Sequence, residues 1–142
     1  MRFRHETPAL VARGKDAGTA MSFEDGLAIV VTRKHKDGVT CTVPLRPELL
    51  NSNGVVHGGV IASIADEVAW HAILSQLSGE HKAMTTSELK VNYLRPIGLA
   101  AKTTARGYVL KLGKMLAVTR VDVFDAEKRL AAHATVTYAF LR

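Results

Sequence analysis

Apolar and polar residues follow different patterns in different parts of the chain, and each pattern predicts a type of secondary structure. Two runs rich in β-branched residues, 27–34 and 39–46, flank an Asp-Gly turn signal at 37–38, and this predicts a β-hairpin. The following residues, 47–57, are rich in asparagine and glycine and predict a loop. Residues 58–76 carry apolar side chains nearly all round, which predicts one long helix buried on most of its faces.

Downstream of this helix the apolar residues recur with a period of two. Segments 87–96, 100–111, 116–124 and 129–141 predict four further strands, and the last of them carries one apolar stripe at 132, 134, 136, 138 and 140. Short connections between these strands predict an antiparallel meander. One sheet and one apolar helix pack most simply as an α+β domain, in which a curved antiparallel sheet of about six strands wraps around the helix.

Composition restricts the class of protein. The 142 residues are 47% hydrophobic and 23% charged, as in an ordinary globular protein of one domain. No apolar run reaches about 18 residues, the N-terminus lacks the apolar core of a secretory signal, and Cys41 is the single cysteine. We therefore expect a cytoplasmic protein with no membrane partner and no cysteine–histidine metal site. The net charge of +6 is compatible with binding to a nucleic acid, an anionic membrane or a polyanionic small ligand, and also with a role in solubility alone.

The start of the predicted helix carries the candidate chemistry. His57-Gly58-Gly59 leads into it, and Asp66 follows among apolar residues, where a carboxylate costs free energy unless something pairs with it or uses it. The unshielded N–H groups of a helix N-terminus polarise a carbonyl. However, Asp66 lies eight residues from Gly58, about 12 Å along the helix. The two groups meet on one carbonyl if two helices run antiparallel across a two-fold axis.

Each part of this arrangement also has a simpler interpretation. His-Gly-Gly alone is compatible with a turn that feeds a helix, and Asn51 and Asn53 are ordinary turn formers. Glu67 is an alternative acid, because it is four residues from His71 on a helix. The combination is more specific than its parts.

That combination, Asn51 with His57-Gly58-Gly59 and Asp66 in a strand–strand–helix–four-strand chain, resembles the hotdog-fold acyl-CoA thioesterases of the phenylacetic-acid-degradation (PaaI) type. The resemblance covers about residues 20–142, including the segments 86–96 and 109–114. It implies a hotdog thioesterase domain over 21–142 and hydrolysis of an aromatic or short/medium-chain acyl-CoA to free acid and coenzyme A. Residues 1–20 lie outside it, and 8–20 are compatible with a short helix.

The resemblance also implies roles for individual residues. Asp66 would activate water or attack the thioester carbon, and the Gly58 N–H would polarise the carbonyl within a loop that His57 shapes. Asn51 would orient the water or the thioester, and Thr86 would hold the water.

A second group of residues would contact the substrate. Gly59 would let it approach the helix, Trp70 would narrow the acyl pocket, and Tyr93, Lys111 and Lys114 would meet the nucleotide end of coenzyme A. The enzyme would need no metal or separate cofactor.

The expected partners are a small-molecule acyl-CoA and a second copy of the chain. The homodimer would pair into a homotetramer as a dimer of dimers. No aromatic-plus-basic strand motif of the RNA-binding type is visible, so we expect no nucleic-acid partner. A non-catalytic acyl-CoA-binding hotdog protein is the main alternative. A hotdog dehydratase fits less well, because Asp66 and His71 diverge on a helix.

Overall fold

The structure is a computed structural model that describes residues 21–78 and 83–141. The N-terminal segment 1–20, including the helix considered for 8–20, lies outside the described residues. Among the residues that are described, no helix has both the length and the apolar character needed to cross a bilayer.

A short helix, α1 (Phe23–Leu27), precedes the first strand. Its N-terminus is closed by a capping box, in which Asp25 N–H donates to the Ser22 hydroxyl and Ser22 N–H donates to the Asp25 carboxylate. The prediction of a strand beginning at residue 27 is therefore wrong at its start. Local capping outweighs the apolar content of 27–29, and β1 is Val30–His35.

The predicted hairpin forms from β1 and β2 (Gly38–Pro44), which pair antiparallel. A single 3₁₀ turn, Pro47–Leu49, interrupts the predicted loop before the main helix. This helix, α2 (Gly58–Leu74), begins where it is predicted to begin and ends two residues early.

The core lies between α2 and one face of the sheet. The buried face of α2 is aliphatic throughout: Ile61, Ile64, Ala65, Val68, Ala69, Ala72 and Ile73. The predicted apolar stripe of the last strand faces it through Ala132, Ala134, Val136 and Tyr138, all buried. The curved sheet wraps the helix, as the pattern predicts.

The remaining strands are β3 (Met84–Tyr93), β4 (Lys102–Leu112), β5 (Leu116–Phe124) and β6 (Leu130–Phe140). All pairs are antiparallel, and the order across the sheet is β1-β2-β4-β5-β6-β3. The prediction of a four-strand meander is therefore wrong for β3, which pairs with β6 at the edge instead of with β4.

The connection from β3 to β4 explains this topology. Residues 94–101 form no hairpin but cross the end of the sheet and pair with the loop before α2, where Val56 N–H donates to Ile97 O at 2.8 Å. Eight extended residues span about 26 Å, whereas three strand spacings need only about 14 Å. The connection is thus long enough to pass beneath β5 and β6.

A β-bulge in β3 decides which of its residues face α2. Leu89 pairs with Val136 and Thr86 pairs with Tyr138, and the register shifts between Thr86 and Glu88. Because side chains alternate along a strand, residues 86 and 89 would point to opposite faces without the extra residue. The bulge at Ser87 therefore turns Thr86 toward α2.

Candidate active site

The carboxylate of Asp66 is held by two hydroxyl groups from two different strands. Thr86 Oγ1 donates to Asp66 Oδ1 at 2.8 Å, and the Tyr138 hydroxyl donates to the same oxygen at 2.7 Å. Tyr138 also lies 2.9 Å from the backbone oxygen of Asp66. The structure thus brings together Asp66 and Thr86, two of the predicted site residues, and adds a third residue from β6.

Tyr138 is 4% exposed. Burial raises the pKa of the Tyr138 phenol far above its usual range, and the neighbouring Asp66 carboxylate raises it further, against an opposing effect of the Thr86 hydroxyl. The phenol therefore stays protonated and acts as a donor to Asp66.

The second oxygen of Asp66 is open. Both hydroxyls bind Oδ1, and Oδ2 has no hydrogen-bond partner within residues 21–78 and 83–141. Asp66 itself is half-buried. A carboxylate fixed through one oxygen and open at the other can take a proton from water or attack a carbon.

Tyr138 is not among the site residues that the sequence predicts, because position 138 belongs to the apolar stripe of the last strand. A signal was present. A tyrosine at a predicted buried position needs a partner for its hydroxyl, and the carboxylate of the facing helix is the obvious candidate.

The N-terminus of α2 forms the other half of the site. His57 is the N-cap residue, and its Nδ1 accepts from Gly59 N–H at 2.8 Å, so the ring proton sits on Nε2. The N–H groups of Val60 and Ile61 donate to the His57 backbone oxygen. Of the first N–H groups, that of Gly58 has no partner among the described residues and remains available to a carbonyl.

Tyr93 lies over the same helix end. Its hydroxyl donates to Gly58 O at 2.7 Å, and its ring is within 3.4 Å of the position that a Gly58 Cβ would take. Beside it is a groove of about 290 Å³, lined by Val55, Val56, Gly58, Ile61, Tyr93, Leu94, Arg95 and Pro96. Tyr93 thus packs against Gly58, the residue whose N–H is open.

Gly59 leaves room for the His57 side chain to cap the N-terminus of α2. A Cβ on Gly59 would lie 3.1 Å from His57 Nδ1, which is tighter than ordinary contact. Glycine at this position lets the histidine ring fold back onto the helix. His57 and Gly59 therefore shape the helix end together, as expected of a loop that presents the Gly58 amide.

Asn51 lies in the turn before the helix. Its Oδ1 accepts from the N–H groups of Asn53 and Val55, at 3.0 and 3.3 Å. Asn51 therefore forms a turn, the simpler of its two predicted roles, and this occupies the carbonyl oxygen of its side chain. Its proposed contact with water or thioester would have to use the Nδ2 amide.

The remaining predicted residues are not gathered at one point of a single chain. Gly58 and Asp66 are about 12 Å apart along α2. Trp70 stands one turn beyond Asp66, with its ring 5.0 Å from that of His71. Lys111 and Lys114 are exposed at the far end of the β4–β5 hairpin, about 30 Å along β4 from the sheet end that meets the helix N-terminus.

No group of three or more metal-binding side chains (His, Cys, Asp or Glu) occurs in the described part of the chain. What the two half-sites offer is one carboxylate and one backbone N–H. A thioester lacks the resonance of an amide, so a positioned water, a carboxylate and an oxyanion donor can suffice for its hydrolysis.

The sheet, the helix and these two half-sites together define a hotdog domain of the thioester-cleaving class. The model of the Thioesterase superfamily matches residues 53–132. The chain belongs to this family and is a thioester hydrolase, and the resemblance to PaaI-type hotdog thioesterases is confirmed.

Both named enzymes and solved structures are similar to this chain. The medium/long-chain acyl-CoA thioesterase YigI of Escherichia coli K12 is 30% identical over 132 residues, covering 83% of this chain and 84% of that protein. A thioesterase structure from Haemophilus influenzae has 26% identity and a TM-score of 0.75, covering 83% and 81%. A mutant structure of the phenylacetic acid degradation protein PaaI from Thermus thermophilus has 26% identity and a TM-score of 0.72, covering 84% and 98%.

Proposed function

We propose that the protein hydrolyses the thioester of an aromatic or short/medium-chain acyl-CoA, giving the free acid and coenzyme A. The observation that carries this proposal is the Asp66 carboxylate, which two hydroxyls fix through Oδ1 while Oδ2 stays open. A protein that only bound acyl-CoA would have no use for such a group. The relative YigI acts on medium/long-chain acyl-CoA, so the medium-chain part of the range has the stronger support.

The reaction uses the two half-sites in sequence. Asp66 deprotonates a water molecule, which adds to the carbonyl carbon, or adds to that carbon itself. The Gly58 N–H stabilises the resulting oxyanion. The carbon–sulfur bond then breaks, and the thiolate of coenzyme A leaves and takes up a proton. The water route gives the free acid directly, whereas attack by Asp66 gives a mixed anhydride that a water molecule then hydrolyses, which releases the acid and restores the Asp66 carboxylate. Thr86 and Asn51 orient the water and the thioester, and no metal or separate cofactor takes part.

Assembly is part of the proposal, because one chain holds two halves of different sites. Antiparallel pairing of two α2 helices across a two-fold axis brings Asp66 of one subunit to Gly58 of the other. The edge strand β3 supports such pairing, since its inward-facing side chains Leu89 and Tyr93 are 38% and 54% exposed in the single chain. We further infer that two such dimers form a tetramer.

The same two-fold axis accounts for the distribution of the predicted coenzyme A contacts. It reverses the direction of the second subunit, so the β4–β5 hairpin end of one chain approaches the Tyr93 end of the other. Lys111 and Lys114 would then contact the phosphates of a substrate whose thioester lies at Gly58. Trp70 would close the acyl pocket beyond Asp66, and the net charge of +6 would favour the polyanionic substrate.

The proposed location is the cytoplasm. The single cysteine, Cys41, is buried, and burial raises the pKa of its thiol to about 11. A thiol in this state is unreactive, and a single cysteine cannot form an internal disulfide, as is usual for proteins of a reducing compartment.

An activity panel tests the proposed reaction. Release of free thiol from acetyl-, hexanoyl-, decanoyl-, palmitoyl- and phenylacetyl-CoA should give a higher kcat/KM with the aromatic, short-chain or medium-chain substrates than with palmitoyl-CoA. Binding of these compounds without thiol release would contradict the proposal and favour the non-catalytic acyl-CoA-binding alternative.

A subunit-mixing experiment tests the shared site. Asp66→Asn and Gly58→Pro subunits, each nearly inactive alone, should recover activity after exchange. Random exchange places about half of the dimers in the mixed state, each with one intact site of two, so recovery should approach roughly a quarter of the wild-type activity per subunit. Verified exchange with no recovery would contradict the shared site.

A further inference from the structure

We propose that Tyr138 is a positioning residue for the hydrolysis: its buried hydroxyl fixes the Asp66 carboxylate in the orientation that leaves Oδ2 open toward the thioester. This role rests on the proposed function, in which Asp66 is the reacting acid. It concerns a residue on β6 that no sequence motif marks.

The contact geometry shows how one hydroxyl can fix the side chain. The Tyr138 oxygen lies 2.7 Å from Asp66 Oδ1 and 2.9 Å from the Asp66 backbone oxygen. Its single proton is shared between a side-chain acceptor and a main-chain acceptor of the same residue, as a three-centre hydrogen bond. This links the carboxylate to its own backbone and restricts both side-chain torsions of Asp66.

The surroundings of Tyr138 indicate that the role of its hydroxyl is to bind Asp66, and not to pack the core. The other buried residues of the stripe, Ala132, Ala134 and Val136, are apolar, and a phenylalanine would fill the volume of the ring equally well. A buried hydroxyl costs free energy unless it has a partner. The partner here is the carboxylate, and it is the same oxygen that Thr86 binds.

Thr86 and Tyr138 differ in what they can reach. They are cross-strand neighbours in register, but Thr86 is exposed and Tyr138 is 4% exposed. Thr86 can therefore contact water or substrate as well as Asp66. Tyr138 is shielded from substrate and can act only through its neighbours at the site, Asp66 above all, so its removal should change the chemical step and not substrate binding.

Tyr138→Phe tests this role. We expect kcat with the best acyl-CoA to fall roughly 10–100-fold, the range for losing one hydrogen bond to a charged group, while KM changes less than about twofold. Tyr108→Phe is the matched control, because Tyr108 packs between the guanidinium groups of Arg106 and Arg120 on β4 and β5 and should keep wild-type kinetics. A Tyr138→Phe enzyme with wild-type kcat would overturn the inference.

A second hydroxyl-free variant separates positioning from packing. Tyr138→Met also removes the hydroxyl but places an apolar side chain of a different shape in the core. Because both variants lack the hydroxyl, they should lose kcat to a similar degree, although their thermal midpoints differ. If kcat fell in proportion to the drop in thermal midpoint, and not equally in the two variants that lack the hydroxyl, the inference would be overturned.

The two hydroxyls should also be coupled. Because Thr86 and Tyr138 bind one oxygen, the combined effect of Thr86→Val and Tyr138→Phe on kcat should differ from the product of the single effects. Simple multiplication of the two effects would overturn the shared positioning.

A measurement without turnover keeps this test separate from the proposed function. With ¹³C-labelled aspartate, the Asp66 carboxyl signal is assigned by its absence in Asp66→Asn. It should move in Tyr138→Phe and stay unchanged in Tyr108→Phe. A wild-type protein that releases no thiol contradicts the proposed function, whereas an unmoved signal contradicts the role of Tyr138.

Discussion

Asp125, at the turn between β5 and β6, and Asp66, in the middle of α2, are held in different ways. Asp125 is 6% exposed, and both of its oxygens are used. Its Oδ1 accepts from the N–H groups of Glu127 and Arg129 at 3.0 and 2.8 Å, and its Oδ2 accepts from Arg129 Nε at 2.8 Å. Asp66 uses Oδ1 alone.

The two glycines at the start of α2 repeat this contrast. The Gly59 N–H is taken by the His57 ring, whereas the Gly58 N–H has no partner among the described residues. A group that completes the fold has its hydrogen-bonding capacity filled by the protein, and a group that serves the reaction keeps part of it open. Substitutions at Asp66 and Gly58 should therefore affect activity, and those at Asp125 stability.

The largest effect is expected from Asp66→Asn. The amide oxygen can still accept from Thr86 and Tyr138, so the fold and the thermal midpoint should be nearly unchanged. Loss of the base or nucleophile should lower kcat by roughly 10²–10⁴-fold. Glu67→Gln is the matched control on the next residue and should be mild. An Asp66→Asn enzyme within a few-fold of wild type would remove Asp66 from the mechanism.

Gly58→Pro should have the next largest effect. Gly58 is the first helical residue, where proline is well tolerated because no helical hydrogen bond needs its N–H. The preceding His57 has ψ 137°, which suits a residue before proline. The substitution therefore removes the oxyanion donor and keeps the helix start, and kcat should fall roughly 10²–10³-fold.

Gly58→Ala is the control for this deletion. It keeps the N–H and adds a Cβ at 3.4 Å from the Tyr93 ring, an ordinary contact. If Gly58→Ala lost as much activity as Gly58→Pro, crowding at Tyr93 and not the amide would be responsible.

The two half-sites were not equally accessible from the sequence. The Gly58 half is local: the cap, the glycines and the start of α2 lie within three residues, and the sequence predicted where the helix begins. Asp66 was found from the same stretch, since a carboxylate among apolar residues is visible in one helix.

The rest of the acid half depends on contacts between distant residues. Tyr138 is 72 residues from Asp66, and Thr86 faces it because of a bulge that no turn residue announces. The edge position of β3 follows from the path of residues 94–101, which the sequence pattern does not distinguish from a short connection. Strand existence was predictable from local periodicity, but strand order depends on where a connection finds its hydrogen bonds.

Asp125→Asn should affect stability and not activity. The NH₂ group of an asparagine here faces other donors in either orientation, because it meets either the backbone N–H groups of Glu127 and Arg129 or the Arg129 Nε. The substitution also loses the ion pair with the Arg129 guanidinium. We expect the thermal midpoint to fall on the order of a few degrees, with kcat unchanged at a temperature below both midpoints. A variant with wild-type stability and reduced kcat would reverse the comparison between the two aspartates.

The smallest expected effect is a pH dependence of the difference in stability between wild type and Asp125→Asn. Burial opposes ionisation of Asp125, but hydrogen bonds from the Arg129 backbone and guanidinium, the Arg129 charge and the Glu127 N–H outweigh it. The pKa of Asp125 is therefore lowered from its ordinary value of 3.8. A lowered pKa in the folded state means that the ionised form stabilises the protein.

This contribution is complete above the unfolded-state pKa and is lost as the pH falls through the folded-state pKa. The midpoint difference between wild type and Asp125→Asn should thus be constant above about pH 5 and shrink below about pH 4. Arg129→Gln keeps the backbone donor of residue 129 and removes only the guanidinium. The pH dependence of its thermal midpoint should therefore lie between those of wild type and Asp125→Asn. A midpoint difference that stays constant from neutral pH to about pH 2 would show that the hydrogen bonds to Asp125 do not depend on its charge.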